Sequence, residues 1–195
     1  MAFGDWSPDG RRIVATAGDQ GLVILKPDGT GVTPLGATGE CARWSPDGTR
    51  IAYCHLEDNP SGTPQWEVYV VNADGSNQTR LTHRPAYDYP SGWSPDGRQL
   101  VVWAQLGAPE RLALLDPDTG EEQPLTGLAS SHEVLGAWLT DGRFLVGIES
   151  PADGLHGWYL LDRSDPAHPR FTPVLPALQT ICCGEGQLAW MPSPR

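Results

Sequence analysis

The chain has 195 residues, of which 39% are hydrophobic and 19% charged, with 23 glycines, 19 prolines and a formal net charge of −11. That length suits one substantial domain, and an acidic surface, with a sequence pI of about 4.7, repels phosphate backbones and argues against nucleic acid as a partner. No apolar run reaches the roughly eighteen residues of a membrane-spanning helix, so no membrane insertion is expected.

Taken in order, the chain opens with Trp6-Ser7-Pro8-Asp9-Gly10 and a β-branched run to Val14. Proline presets φ in a tight turn, aspartate caps it, and glycine takes the positive φ that closes it, so the phrase reads as strand, turn, strand. Leu22 to Leu25, Pro27-Asp28-Gly29 and Val32 to Leu35 then supply a second hairpin. The unit recurs with Trp44-Ser45-Pro46-Asp47-Gly48, Trp66 to Val71, Asp74-Gly75-Ser76 and Thr79 to Thr82. A third copy runs from Trp93-Ser94-Pro95-Asp96-Gly97 through Leu112 to Leu115 and Asp116 to Gly120, ending at Thr126. The fourth, from Trp138, keeps Asp141-Gly142 but has lost the serine and proline of the turn, and continues through Trp158 to Leu161 and Phe171 to Val174. A fifth echo, Gly184 to Trp190, stops after one hairpin, with Cys182 at the tryptophan's place.

Trp6, Trp44, Trp93 and Trp138 stand 38, 49 and 45 residues apart. Four short antiparallel strands per period of that size fit a β-propeller blade, which cannot bury both faces alone and must stack on its neighbours. The tryptophan of each unit is expected to fill the interface between blades. The predicted fold class is therefore all-β: a propeller of four-stranded antiparallel blades with about four and a half repeats.

The stretch Glu67 to Asn77 with Thr79-Arg80-Leu81-Thr82, Tyr87-Asp88 and Trp93-Ser94-Pro95-Asp96-Gly97 resembles the WD40-like PD40 repeat of TolB-like propellers. The resemblance covers nearly the whole chain and implies a single propeller domain over 1–195, with blades at about 1–35, 36–83, 84–126 and 127–174 and a partial blade at 175–195. Because TolB-type propellers have six blades, it also implies an incomplete, fragmentary ring. Met1 to Asp5 lacks the charged start and apolar core of a signal peptide. The expected compartment is cytoplasmic if Met1 is the native start, and periplasmic or cell envelope, by the resemblance, if an upstream signal is missing. A complete product of four and a half units would expose strand edges and is expected to form a homodimer or to be poorly soluble.

Few residues suggest chemistry. His55, His83, His132, His156 and His168 fall at different phases of the repeat without metal-ligand spacing, and His55 and His83 read as turn residues. Ser7, Ser45 and Ser94 read as turn serines, because Gly92-Trp93-Ser94-Pro95-Asp96 lacks the last glycine and the helix of a nucleophile elbow. Asp74 to Asn77 and Asp116 to Gly120 are too short for calcium loops of the EF-hand type. No cofactor, metal or catalytic residue is expected. Cys41 and Cys54 flank the second hairpin, where a cross-strand disulfide is conceivable, although such pairs often have poor geometry. Adjacent Cys182 and Cys183 would point to opposite faces of a strand, which argues against a shared metal, and read as buried thiols.

What remains is surface. The longest irregular loop is Glu57 to Pro64, and the segment His83 to Pro90 carries Arg84, Tyr87 and Tyr89, residue types enriched at binding hot spots. These three are the candidate binding residues, with packing as the competing account of Tyr87 and Asp88. The expected function is a non-catalytic scaffold for protein–protein interaction. Alternatives are the gating propeller of a prolyl-oligopeptidase-type serine peptidase whose hydrolase domain is absent here, or a propeller binding carbohydrate or another small ligand.

Overall fold

A computed structural model describes residues 4–58, 64–83, 87–105, 111–128, 132–165 and 168–174. They form four antiparallel sheets, each a meander of four consecutive strands. The first sheet holds β1 (Gly4–Trp6), β2 (Ile13–Thr16), β3 (Leu22–Leu25) and β4 (Thr33–Pro34); the second β5 (Glu40–Trp44), β6 (Arg50–Glu57), β7 (Gln65–Asn72) and β8 (Thr79–Arg80). The third holds β9 (Tyr87–Trp93), β10 (Leu100–Gln105), β11 (Arg111–Leu115) and β12 (Glu122–Pro124); the fourth β13 (His132–Trp138), β14 (Phe144–Ser150), β15 (Leu155–Asp162) and β16 (Arg170–Pro173). Helical structure among the described residues is limited to the 3-10 turns Gly18–Gln20 and Pro151–Asp153. The expected propeller architecture is thus present. The fifth echo, with Cys182, Cys183 and the partial blade, lies outside the described residues.

First strands neighbour first strands, β1 beside β5, β5 beside β9 and β9 beside β13, which sets the sheets as blades about a common axis. The core lies between blades, and strand alternation decides which interface each side chain enters. On β6, Ile51 and Tyr53 join Val14, Leu22 and Ile24 of the first sheet, while Ala52 faces the third. On β10, Leu100 and Val102 pack toward Val68 and Val70, while Val101 packs toward Phe144 and Val146.

The repeated turn works through its serine. Ser45, fully buried, accepts the Arg50 N–H at 2.9 Å and donates to Asp47 at 2.6 Å, and Asp47 accepts the Thr49 N–H at 3.0 Å. Gly48 closes the turn at φ 68 with its N–H on the Ser45 carbonyl at 2.9 Å. Ser7 with Asp9 and Ser94 with Asp96 repeat the serine–aspartate bond at 2.6 Å. The fourth turn keeps the Asp141 contact to the Arg143 N–H at 3.1 Å, but Leu139 stands in the serine's place.

Trp44 and Trp93 are 5% and 8% exposed and fill the first and second interfaces, and Trp138 packs into the third. Each of the first two is covered by an arginine from the preceding blade. Arg12 lies 4.6 Å over the Trp44 ring and Arg50 lies 5.0 Å over Trp93, and each donates to the carbonyl of the next turn's glycine, Gly48 or Gly97, at 3.2 Å. The third blade carries Gln99 at that position. Trp6 departs from the expected wedge role: it is 56% exposed, because no described sheet precedes β1 to cover it.

Candidate functional site

In each meander the first-to-second and third-to-fourth strand connections fall at one end of the blade, so the Asp-Gly turns share that end. Their carboxylates are committed to local geometry. Asp74 accepts the Ser76 N–H and hydroxyl at 2.9 and 2.6 Å, and Asp116 accepts the N–H groups of Asp118 and Thr119 at 2.8 and 2.9 Å. Hydroxyl and backbone donors hold the carboxyls of Asp9, Asp47, Asp74 and Asp96 below the usual aspartate range. Among the described residues no group of three or more His, Cys, Asp or Glu is arranged to hold a metal ion.

The opposite end gathers what the sequence kept apart. The end of β6, the start of β7 and the start of β9 meet there. Tyr89 sits between two tryptophans, its ring centroid 6.1 Å from Trp66 and 5.6 Å from Trp103, the latter pair stacked at 29°. Register places these rings together. Trp103 pairs directly with Tyr89 across β10 and β9, and Trp66 pairs with Leu56 across β7 and β6. All three rings are half-buried, and Leu56 is 44% exposed, so the row forms an apolar shelf open to solvent. Burial pushes the Tyr89 phenol up to about 12.

A polar row lies on the other face of the second sheet, toward the first blade. Tyr53 and Tyr69 stack at 5.5 Å, and His55 meets Tyr69 edge-on at 5.7 Å. Tyr69 donates to Glu57, and Gln78 donates to the Tyr53 hydroxyl. Burial, and the bond to Glu57, raise the Tyr69 phenol to about 12. His55 lies inside β6, not in a turn as its sequence context suggested, because β6 continues past Cys54 to Glu57. Its Nδ1 is 3.3 Å from the Thr38 hydroxyl.

Of the three predicted binding residues, Tyr87 and Tyr89 are half-buried on β9 at this end, and Arg84 lies outside the described residues. Asp88 between them is fully buried, so the Tyr-Asp-Tyr run alternates between surface and interior. Trp66 and Trp103 were not singled out by sequence. Their signal is position, since both lie within two residues of a strand end bordering a loop at this end.

Two buried carboxylates brace the outer strands behind the shelf. Glu67 accepts from Thr82 at 2.6 Å and Arg80 at 2.7 Å. Glu133 accepts the Leu112 N–H at 2.8 Å and the Thr126 hydroxyl, tying the fourth blade to the third. A separate groove of about 430 Å³, lined by Pro124, Thr126, Leu128, Arg163 and Phe171, lies at the outer rim between those blades.

No family model matches the chain. It is 29% identical over 132 residues to "Uncharacterized peptidase YuxL" of Bacillus subtilis, covering 64% of this chain and 19% of that protein. It is 34% identical over 93 residues to the Tol-Pal system protein TolB of Anaeromyxobacter dehalogenans, covering 45% of this chain and 20% of that protein. The matched part is about a fifth of the length of these curated relatives. Solved structures of like fold include TolB from Acinetobacter baumannii (TM-score 0.57, 17% identity, 83% of this chain and 40% of that one). An oligogalacturonate lyase from Vibrio parahaemolyticus (0.68, 11%, 86% and 51%) and a prolyl endopeptidase (0.66, 16%, 88% and 28%) share it too. The fold is that of a TolB-like β-propeller.

Proposed function

We propose that this chain is a non-catalytic scaffold that docks a protein partner on the end of its blades bearing Trp66, Tyr89 and Trp103. The carrying observation is the partly exposed shelf of contacting rings beside Leu56, set on strands and opposite the self-satisfied aspartate turns. Aromatic anchors on a preorganised frame contribute binding energy at little entropic cost. The likeness to Tol-Pal system protein TolB supports a docking role, and Tyr87 extends the proposed surface along β9.

The peptidase relative, whose match is the longer one, favours a second reading in which the same end faces a hydrolase domain as a gate. A photo-crosslinking residue at Tyr87, with a second at Asp28 on the opposite end as control, tests both in the native host. A protein adduct at position 87 and none at 28 supports docking. Cross-linking to an α/β-hydrolase polypeptide selects the gate, and equal labelling at both positions overturns the assignment of this end.

A further inference from the structure

Cys41 and Cys54 occupy facing strands of the second blade, and their placement depends on a local defect in the ladder. Glu40 pairs with Cys54 and Arg43 with Ala52, so Cys41 and Ala42 together oppose the single residue Tyr53, a β-bulge. Cys41 takes φ 58 there, a left-handed conformation that non-glycine residues seldom adopt. In a regular strand, Cys41 would point to the face opposite that of Glu40 and Cys54. The bulge removes that alternation beside Cys54, where the two thiols act on each other. Directly paired Cα atoms lie about 4.5–5.5 Å apart, and disulfides bridge roughly 4.4–6.8 Å. One position away from direct pairing, Cys41 falls in reach. Both thiols are free, Cys54 is fully buried, and Cys41 is half-buried.

We propose that Cys41 and Cys54 form a reversible dithiol–disulfide pair in which Cys41 is the attacking sulfur and Cys54 the resolving one. The exposures assign the roles, since only Cys41 meets solvent. The adjacent Cys54 thiol and the nearby Arg43 hold the Cys41 thiol below the ordinary cysteine range, while the Cys41 thiol and burial push Cys54 up. The Cys41 thiolate attacks a low-molecular-weight disulfide such as oxidised glutathione, forming a mixed disulfide and releasing one glutathione thiolate. Cys54 then passes its proton to solvent, attacks the Cys41 sulfur and expels the second glutathione. The protein loses two protons and two electrons, and the glutathione disulfide takes them up to become two thiols. The modification lies beside the proposed docking end, since Cys54 stands three residues before the end of β6 at Glu57, but it does not rest on the docking reading.

The test treats the folded full chain with oxidised glutathione, then maps thiols by differential alkylation and mass spectrometry. The expected result is an intrachain Cys41–Cys54 cross-linked peptide, loss of two alkylatable thiols at these positions, and their return with dithiothreitol. A C41S variant, at the half-buried position, should leave Cys54 unmodified in the folded state. A stable glutathione adduct on Cys41 without cross-linking overturns the resolving role. A cross-link appearing only in denaturant, or thiols at both positions that stay alkylatable after oxidation, overturns the pair.

Discussion

The guanidinium of Arg50 lies 5.0 Å over the indole of Trp93 in the next blade and is anchored there by its bond to the Gly97 carbonyl. The same arginine meets Asp118 at 2.6 Å, but that carboxylate is 77% exposed. An exposed ion pair contributes roughly 0–1 kcal/mol, whereas stacking over a buried ring adds about 0.5–2 kcal/mol together with the stem's packing. Arg50→Met is expected to destabilise the fold by about 1–2 kcal/mol and Asp118→Ala by under about 0.5 kcal/mol, measured as urea midpoints. Equal effects would show that the exposed ion pair, not the ring, is what Arg50 serves.

The tryptophans give a comparison within one protein. Trp44 is buried between blades, and its removal is expected to cost about 3–5 kcal/mol, the range for emptying a large aromatic site. Trp6, at the equivalent point of the repeat, is mostly exposed, and Trp6→Ala should stay within about 0.5 kcal/mol. Thermal unfolding of the two variants distinguishes interface burial from any effect of the motif itself.

Acid should loosen the turns. Asp9, Asp47 and Asp96 have folded-state affinities for protons below those of an unfolded aspartate, chiefly because turn serines donate to them. A depressed folded pKa contributes stability that is present above the unfolded value, about 3.9, and is lost as pH falls through the folded value. Each carboxylate is exposed, so each effect is small. The urea midpoint is expected to decline below about pH 5, and Asp47→Asn should flatten part of that decline. An unchanged acid limb in Asp47→Asn with Asp96→Asn would contradict it.

At the docking end, substitutions should separate binding from folding. Trp66→Ala is expected to abolish the partner adduct at position 87 or reduce it at least about tenfold, as loss of a hot-spot aromatic does. Far-UV circular dichroism should remain that of the parent. Phe at Tyr89 keeps the stack with Trp66 and Trp103, so Tyr89→Phe should retain most of the adduct; a loss as large as that of Trp66→Ala would shift the contact from the ring to the hydroxyl.

The Trp-Ser-Pro-Asp-Gly phrase made the hairpins legible because each of its residues serves a local need: Ser45 bonds Asp47, and Gly48 takes the positive φ. Blade-to-blade relations were not legible in the same way. Nothing in the spelling of Arg12 or Arg50 says that its head group crosses to the next tryptophan, since that depends on how two separately formed sheets stack. The bulge at Cys41 was hidden for a similar reason. Alternation predicts side-chain direction only while the ladder is regular, and one extra residue reverses it. The proposed docking end was half legible: Tyr87 and Tyr89 belong to one segment, but Trp66 and Trp103 reach Tyr89 from other strands through register.

Arg12 reaches forward to Trp44 and Arg50 forward to Trp93, never backward. This gives the wheel a sense of direction, in which the second and third spokes are each latched by the one before. A splice made between blades would therefore leave a latch on one fragment and its catch on the other, and the smallest piece that could be grafted elsewhere with its latch closed straddles two neighbours, from Arg12 to Gly48 or from Arg50 to Gly97.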